Sequence, residues 1–448
     1  MSLGSDERAA LASGLEESRA STWRMLEGLT EDDARLQVHP EFSPLSWHAG
    51  HVAWQEERWA LRRAMGQAPV DPRLDSIYDS FSSAKHSRGA RLPSLAEIRR
   101  YAAVVRERTL EALERWQEAR EPELVERGWV FRFLANHERQ HVETMGVIRL
   151  LDDRPLEGLP EALVSSAPAT QGFVEVTGGR FVLGADDDPE GWDNERRAHE
   201  VELPAFRIGR QPVTNGEWLE FMEAGGYRDD RLWSAAGTAW KDAVGAEAPL
   251  HWERPKRGSF GGGAGFGALH WQRRAPSNSG GASWTRRTLA GRRPVERSHP
   301  VAHVSFFEAE AFARWAGARL PTEAEWERAA SWDAAAGVKR RWPWGDDPAG
   351  AATANLALRL GDTAPCADGD RGFAGGVWEW TGDRFAAFPG FTPGPYRGYS
   401  EPWFGDGHRV LRGGCHLTHP AIARSTFRNW FVPGMRAFPS GVRLAADR

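Results

Sequence analysis

A four-helix bundle joined to a loop-rich α+β domain is the architecture that the sequence predicts, and three observations predict it. Apolar residues recur at helical spacing through four segments within positions 6–151. A proline-bearing stretch follows at 152–171. Beyond it the texture changes to short strand-like runs broken by glycine, with tryptophans scattered among them.

The four helical segments are Ala9–Leu29, Leu45–Met65, Leu95–Trp116 and Leu124–Leu151. Ser94 ahead of Leu95-Ala96-Glu97 has the form of a capping box. Pro44 and Pro93 stand before helix starts, where proline is tolerated. Turn-like joints between the segments predict an up-and-down bundle over 1–152. A linker is expected over 153–171, with Pro155, Pro160 and Pro168, and a second domain over 172–448. In that domain glycines cluster at Gly258–Gly267 and at Gly280-Gly281, and Glu308–Gly317 and Glu323–Ser331 read as helices. Loop-rich domains of this size often carry their function on the loops.

Composition excludes several classes. With 57 basic and 62 acidic residues scattered along the 448, the net charge is −5, and no basic field invites nucleic acid. No run approaches the ~18 apolar residues of a membrane span. The opening Met1–Glu7 lacks the basic and apolar regions of a signal peptide, and two cysteines, Cys366 and Cys415, form no disulfide framework. A cytoplasmic protein is expected. Five tyrosines against 22 tryptophans and 21 phenylalanines leave few candidates for any chemistry that needs a phenol.

The chemistry-bearing pattern is His137-Glu138-Arg139-Gln140-His141 on the fourth helix. Histidines four apart share a helix face, so both imidazoles can reach one metal. On the second helix, Trp47-His48-Ala49-Gly50-His51 offers a third imidazole. Facing helices converge their ligands on a bundle core. Three neutral imidazoles leave a metal with open positions, which suits a redox metal holding substrate and dioxygen together. Two other readings compete. His-Glu-x-x-His is also the zinc peptidase signature, with Glu138 as general base, although no histidine between His141 and His199 offers a third ligand. A non-catalytic, lectin-like binding module is the other.

Taken together, the motifs resemble the ergothioneine-pathway sulfoxide synthases and their selenoneine synthase relatives. That family joins a DinB-like bundle to a domain resembling formylglycine-generating enzymes, which has a C-type-lectin-like fold. The resemblance is carried by Ser43–Trp54, by His137–His141 with Glu143, and by Gly178–Phe181, Asp193–Glu195 and Pro212–Asn215. Further matches are Arg319–Glu327, Val377–Thr381, Arg412–Gly414 and Phe427–Trp430. Much of this is architectural: Thr322 and Glu325 have the spacing of a capping box at a helix start. The resemblance implies an enzyme that uses iron(II), Fe(2+), and O2 to bond a sulfur or selenium donor to the imidazole of hercynine (trimethylhistidine). It implies His51, His137 and His141 as the metal ligands, with His48 as the alternative to His51. It implies Gln140, Asn429 and Trp430 at hercynine, where an aromatic face suits a quaternary ammonium that cannot donate hydrogen bonds.

Three departures from the family bear on mechanism. The cysteine pair of formylglycine-generating enzymes is replaced by Thr418 and Ala423, so copper–thiol chemistry is not expected. Phe431 stands where one branch has an aspartate that meets γ-glutamylcysteine, which argues against that donor. Phe385 falls where the same branch has its active-site tyrosine. A proton donor must then come from elsewhere, and Tyr78, Tyr396 and Tyr399 are the candidates. The donor itself, cysteine or a selenosugar, stays open. Arg88 and Arg91, in a segment that also holds Lys85 and His86, are candidates to bind it.

Overall fold

In the computed structural model the described residues are 3–448 apart from 81–82, 162, 164–171, 255–283 and 367–371. The bundle consists of α1 (Ser5–Arg24), α2 (Leu45–Glu56), α3 (Leu95–Glu114) and α4 (Trp129–Leu151). The expected box at α3 is present: Ser94 Oγ accepts from Glu97 N at 3.3 Å, and Glu97 Oε2 accepts from Ser94 N at 2.8 Å. The fourth helix begins at Trp129 and not at Leu124, because Arg127 (φ 53°) and Gly128 (φ 68°) are both left-handed and break the helical path.

Helix α2 does not stop at Glu56 but widens into a π-helical stretch, Glu57–Ala64. Its first residue, Glu57, is fully buried and accepts from Arg62 Nε at 2.9 Å, Val70 N at 2.5 Å and the Tyr101 hydroxyl. Such bulges recur near functional sites.

Beyond the bundle, among the described residues, five small sheets and helices Asn215–Glu223, Ala235–Val244, Phe306–Trp315 and Glu323–Ser331 build the α+β domain. The capping box at Thr322 and Glu325 is present. The four-stranded sheet, in the order Asn429–Phe431, Arg409–Arg412, Trp378–Arg384, Ser440–Gly441, positions the site. Its edge strand pairs Trp430 with Val410 and Asn429 with Leu411. The three-stranded sheet of Phe173–Val176, Phe206–Gly209 and Ala445–Asp447 ties the chain's last strand to the domain's first. One apolar cluster runs from Leu15, Val105 and Val147 in the bundle to Trp218, Val304 and Trp380 in the second domain. No helix among the described residues is long and apolar enough to cross a membrane. The glycine cluster expected at 258–267 and 280–281 lies outside the described residues, as do 162 and 164–171 of the expected linker.

Candidate metal centre

The sequence places His137 and His141 one turn apart on α4 and His51 on α2, and the fold closes the triangle. Their ligand nitrogens all lie within 4.8 Å of one another. His51 Nδ1 lies 2.8 Å from the Tyr78 carbonyl oxygen. A carbonyl can only accept, so Nδ1 carries the proton and Nε2 keeps its lone pair. The His51 ring stacks on Trp47, with centroids 4.4 Å apart and planes at 15°.

His48 takes a different place. Its Nδ1 lies 2.7 Å from His141 Nδ1, so it holds His141 in place and is not one of the converging set. Burial keeps all four rings neutral. His137 is pushed down to about 4 and His48 to about 3, and His51 and His141 are also well below the ordinary value. An unprotonated imidazole is the form that binds a metal.

The triad opens on a cavity of about 440 Å³ between the two domains. Gln140, Glu143 and Thr144 from α4 line it, with Tyr396, Tyr399, Asn429, Trp430 and Phe431 from the second domain. Tyr399 donates its hydroxyl to Gln140 Oε1 at 3.0 Å and stacks on Trp192 with centroids 3.8 Å apart. That bond engages the amide oxygen and leaves Nε2 buried and without a partner, an unused donor on a residue that lines the cavity. Tyr396 meets the His137 ring edge-on, with centroids 6.3 Å apart. Burial raises the Tyr396 phenol and raises Tyr399 well above its ordinary value, so both stay protonated.

Glu143 was singled out in the sequence only as part of a motif, and its surroundings were not legible there. It is 5 % exposed and accepts from Trp378 Nε1 at 2.6 Å and Thr418 Oγ1 at 2.8 Å, with Cys415 Sγ at 3.5 Å. None of these partners is a cation, and burial raises its pKa. Thr418 and Ala423 both lie against Gly414, so the positions of the related enzymes' cysteines are adjacent here but carry no thiols. Cys415 is buried, and its thiol is pushed far up.

Several expected residues lie elsewhere. Tyr78 is fully buried with its ring across Gly50, where a Cβ would come within 2.1 Å of the hydroxyl, and it does not line the cavity. Phe385 is buried behind Trp430, stacked on it at 4.3 Å and 6°, and so backs the cavity wall without reaching the cavity. Arg91 is exposed and turns to Ser76 Oγ at 2.9 Å. Arg88 does line the cavity, but each of its three nitrogens is bonded to protein.

The peptidase reading fails on Glu138. Its carboxylate turns into the bundle core, 2 % exposed, and accepts from Arg19 Nε at 2.7 Å and Thr22 Oγ1 at 2.7 Å. Ser18 Oγ and Arg106 Nη2 donate to it at 3.2 Å each. A general base must reach the metal-side water, and this carboxylate is on another face of the helix, fully engaged.

Such a fold and site define a class: a histidine-rich bundle closing a cavity against a sulfatase-modifying-factor-like domain. Residues 160–448 match the family described as Sulfatase-modifying factor enzyme 1-like domain, and residues 14–145 match the DinB superfamily. The protein named hercynine oxygenase from Mycolicibacterium smegmatis is 41% identical over 465 residues, covering 98% of this chain and 99% of that one. Its namesake from Mycobacterium tuberculosis is 41% identical over 457 residues, covering 98% of each. The formylglycine-generating enzyme of Streptomyces coelicolor is 33% identical over 331 residues, covering 64% of this chain and 95% of that one. The chain belongs to the hercynine oxygenase family.

Proposed function

We propose that this protein is an iron(II)- and dioxygen-dependent oxygenase that bonds a sulfur or selenium donor to the imidazole of hercynine, giving a sulfoxide or selenoxide. The observation that carries the reading is the convergence of three neutral imidazoles on a cavity whose opposite wall suits a quaternary ammonium. The relatives named hercynine oxygenase supply the substrate.

The donor set fits iron: three imidazoles with no thiolate or carboxylate leave positions for two substrates and O2. His51, His137 and His141 would hold it, and it would supply the redox chemistry with dioxygen. The chain's own residues bind and orient. Gln140 Nε2 offers a hydrogen bond to the hercynine imidazole or carboxylate beside the ligands. Trp430, Trp378 and Phe427 line the cavity as aromatic contacts for the trimethylammonium, and Glu143, with no cation of its own, offers it a counter-charge. Asn429 lines the same wall. Tyr396, protonated and edge-on to His137, is the phenol best placed to deliver a proton, and Tyr399 acts through Gln140.

The cavity is also lined by the clustered rings of Phe42, Phe431 and Phe438 and by Glu41, Ser43, Ser80, Lys85 and Arg88, which we take as its donor end. Arg88 is committed to the protein, and Lys85 faces Glu41 at 3.3 Å. Both features favour a neutral, hydroxylated donor such as a selenosugar over one that presents a carboxylate there. The test is to load iron anaerobically and offer hercynine with cysteine, γ-glutamylcysteine and a selenosugar in turn, reading products by mass spectrometry. The selenosugar adduct should form fastest, and a preference for γ-glutamylcysteine would refute the donor assignment.

A further inference from the structure

Ile77, Tyr78, Ser80, Ser83 and Arg88 form a frame beside His51. Trp47 donates Nε1 to the Ile77 carbonyl at 3.0 Å, and His51 Nδ1 donates to the next carbonyl, Tyr78, at 2.8 Å. Arg88 then ties the frame together. Its Nη1 donates to Ser43 Oγ at 2.6 Å, just ahead of α2. Its Nη2 donates to the carbonyls of Ser80 and Ser83 at 3.0 and 2.9 Å, and its Nε donates to Ser83 at 3.2 Å. The guanidinium carbon lies 4.0 Å from the centroid of the Trp47 ring, and that ring stacks on His51. Arg88 is 6 % exposed, although it lines the cavity.

We infer that Arg88 is a positioning residue for the metal ligand His51 and not the group that binds the second substrate. The inference rests on the metal reading of the triad given above. A planar guanidinium with donors along its edge can bond two carbonyls and a hydroxyl while its face rests on an indole; a lysine ammonium cannot do both. Arg88 thereby anchors Ser80, two residues beyond the Tyr78 carbonyl that ends its helical turn, and covers the ring against which His51 stacks. Partners that orient a ligand imidazole typically change metal affinity by about 10–100-fold when lost.

The experiment compares wild type with Arg88→Lys, using cobalt(II) as a spectroscopic probe and iron(II) for turnover. Cobalt affinity is expected to fall about tenfold with a shifted visible spectrum, while the KM of the chalcogen donor at saturating iron stays within about twofold. Ser43→Ala, which removes one of the anchors, should shift affinity in the same direction by less, and it serves if Arg88→Lys does not fold. Wild-type cobalt affinity and spectrum in Arg88→Lys overturn the inference, and so does a donor KM raised tenfold with an unchanged spectrum. Failure of wild type itself to bind metal, with His137→Ala as the control, would instead remove the functional reading.

Discussion

Tyr399 of the second domain donates its hydroxyl to Gln140 of the bundle at 3.0 Å, one residue before His141 of the converging triad. The bond crosses the domain boundary and fixes the orientation of the amide, with Nε2 left as its unpartnered end. Removing it lets the amide rotate and puts its donor out of register. Tyr399→Phe should weaken hercynine binding to the metal-loaded protein by about 1 kcal/mol, roughly fivefold, with the metal content unchanged. Calorimetry reads this directly, and unchanged hercynine affinity would show that Gln140 needs no such partner.

That contact marks the limit of what local sequence could show. His137 and His141 were legible because helical periodicity alone puts residues four apart on one face. The choice between His51 and His48 depended on family resemblance, since both lie on α2; in the structure His51 converges with His137 and His141, whereas His48 turns to His141. Tyr399 and Gln140 are 259 positions apart and share no pattern. Glu143 likewise gains its character from Trp378 and Thr418, which reach it from across the interface. Phe385 and Tyr78 erred for a different reason: position along the chain says nothing of which side of a ring or helix a neighbour occupies. The bundle and the α+β domain were readable because each carries its own period and its own turn residues.

Tyr396 and Tyr78 separate cleanly. Tyr78 is sealed against Gly50 with a hydroxyl that has no partner, so Tyr78→Phe should leave turnover within about twofold and cost less than about 1 kcal/mol of stability. Tyr396→Phe should slow turnover by about tenfold or more, because a general acid contributes at least that much. Steady-state rates at saturating substrates measure both. Equal rates in wild type and Tyr396→Phe would leave a water as the proton donor.

Glu138 is expected to be structural. Glu138→Gln leaves Arg19 and Arg106 short of a buried counter-charge, and breaking such a pair costs about 3 kcal/mol or more. The thermal midpoint should fall by several degrees, while the folded fraction still turns over hercynine. Loss of activity without loss of stability would return Glu138 to a catalytic role.

Metal-free protein should lose stability in mild acid through its histidines. An ordinary histidine titrates near 6.5, whereas burial holds His137 at about 4 and His48 at about 3. Folded values below the unfolded one mean that the unfolded chain takes up protons first. The stability is therefore fully present above about pH 6.5 and is lost as the pH falls from there through about 4. Thermal melts of metal-free wild type should drop more steeply over that window than those of His137→Leu, which has one fewer imidazole to protonate. Parallel curves would mean that His137 is already solvated.

The central claim is that His51, His137 and His141 hold one iron that turns over hercynine with dioxygen. The most direct measurement is the mass spectrum of hercynine incubated with the iron(II)-loaded protein and a selenosugar or thiol donor, with and without O2. A hercynine adduct that carries the chalcogen, forms only with O2, and disappears in His137→Ala together with the bound iron is the result expected. Hercynine recovered unchanged with every donor, from protein that holds one iron per chain, would contradict it.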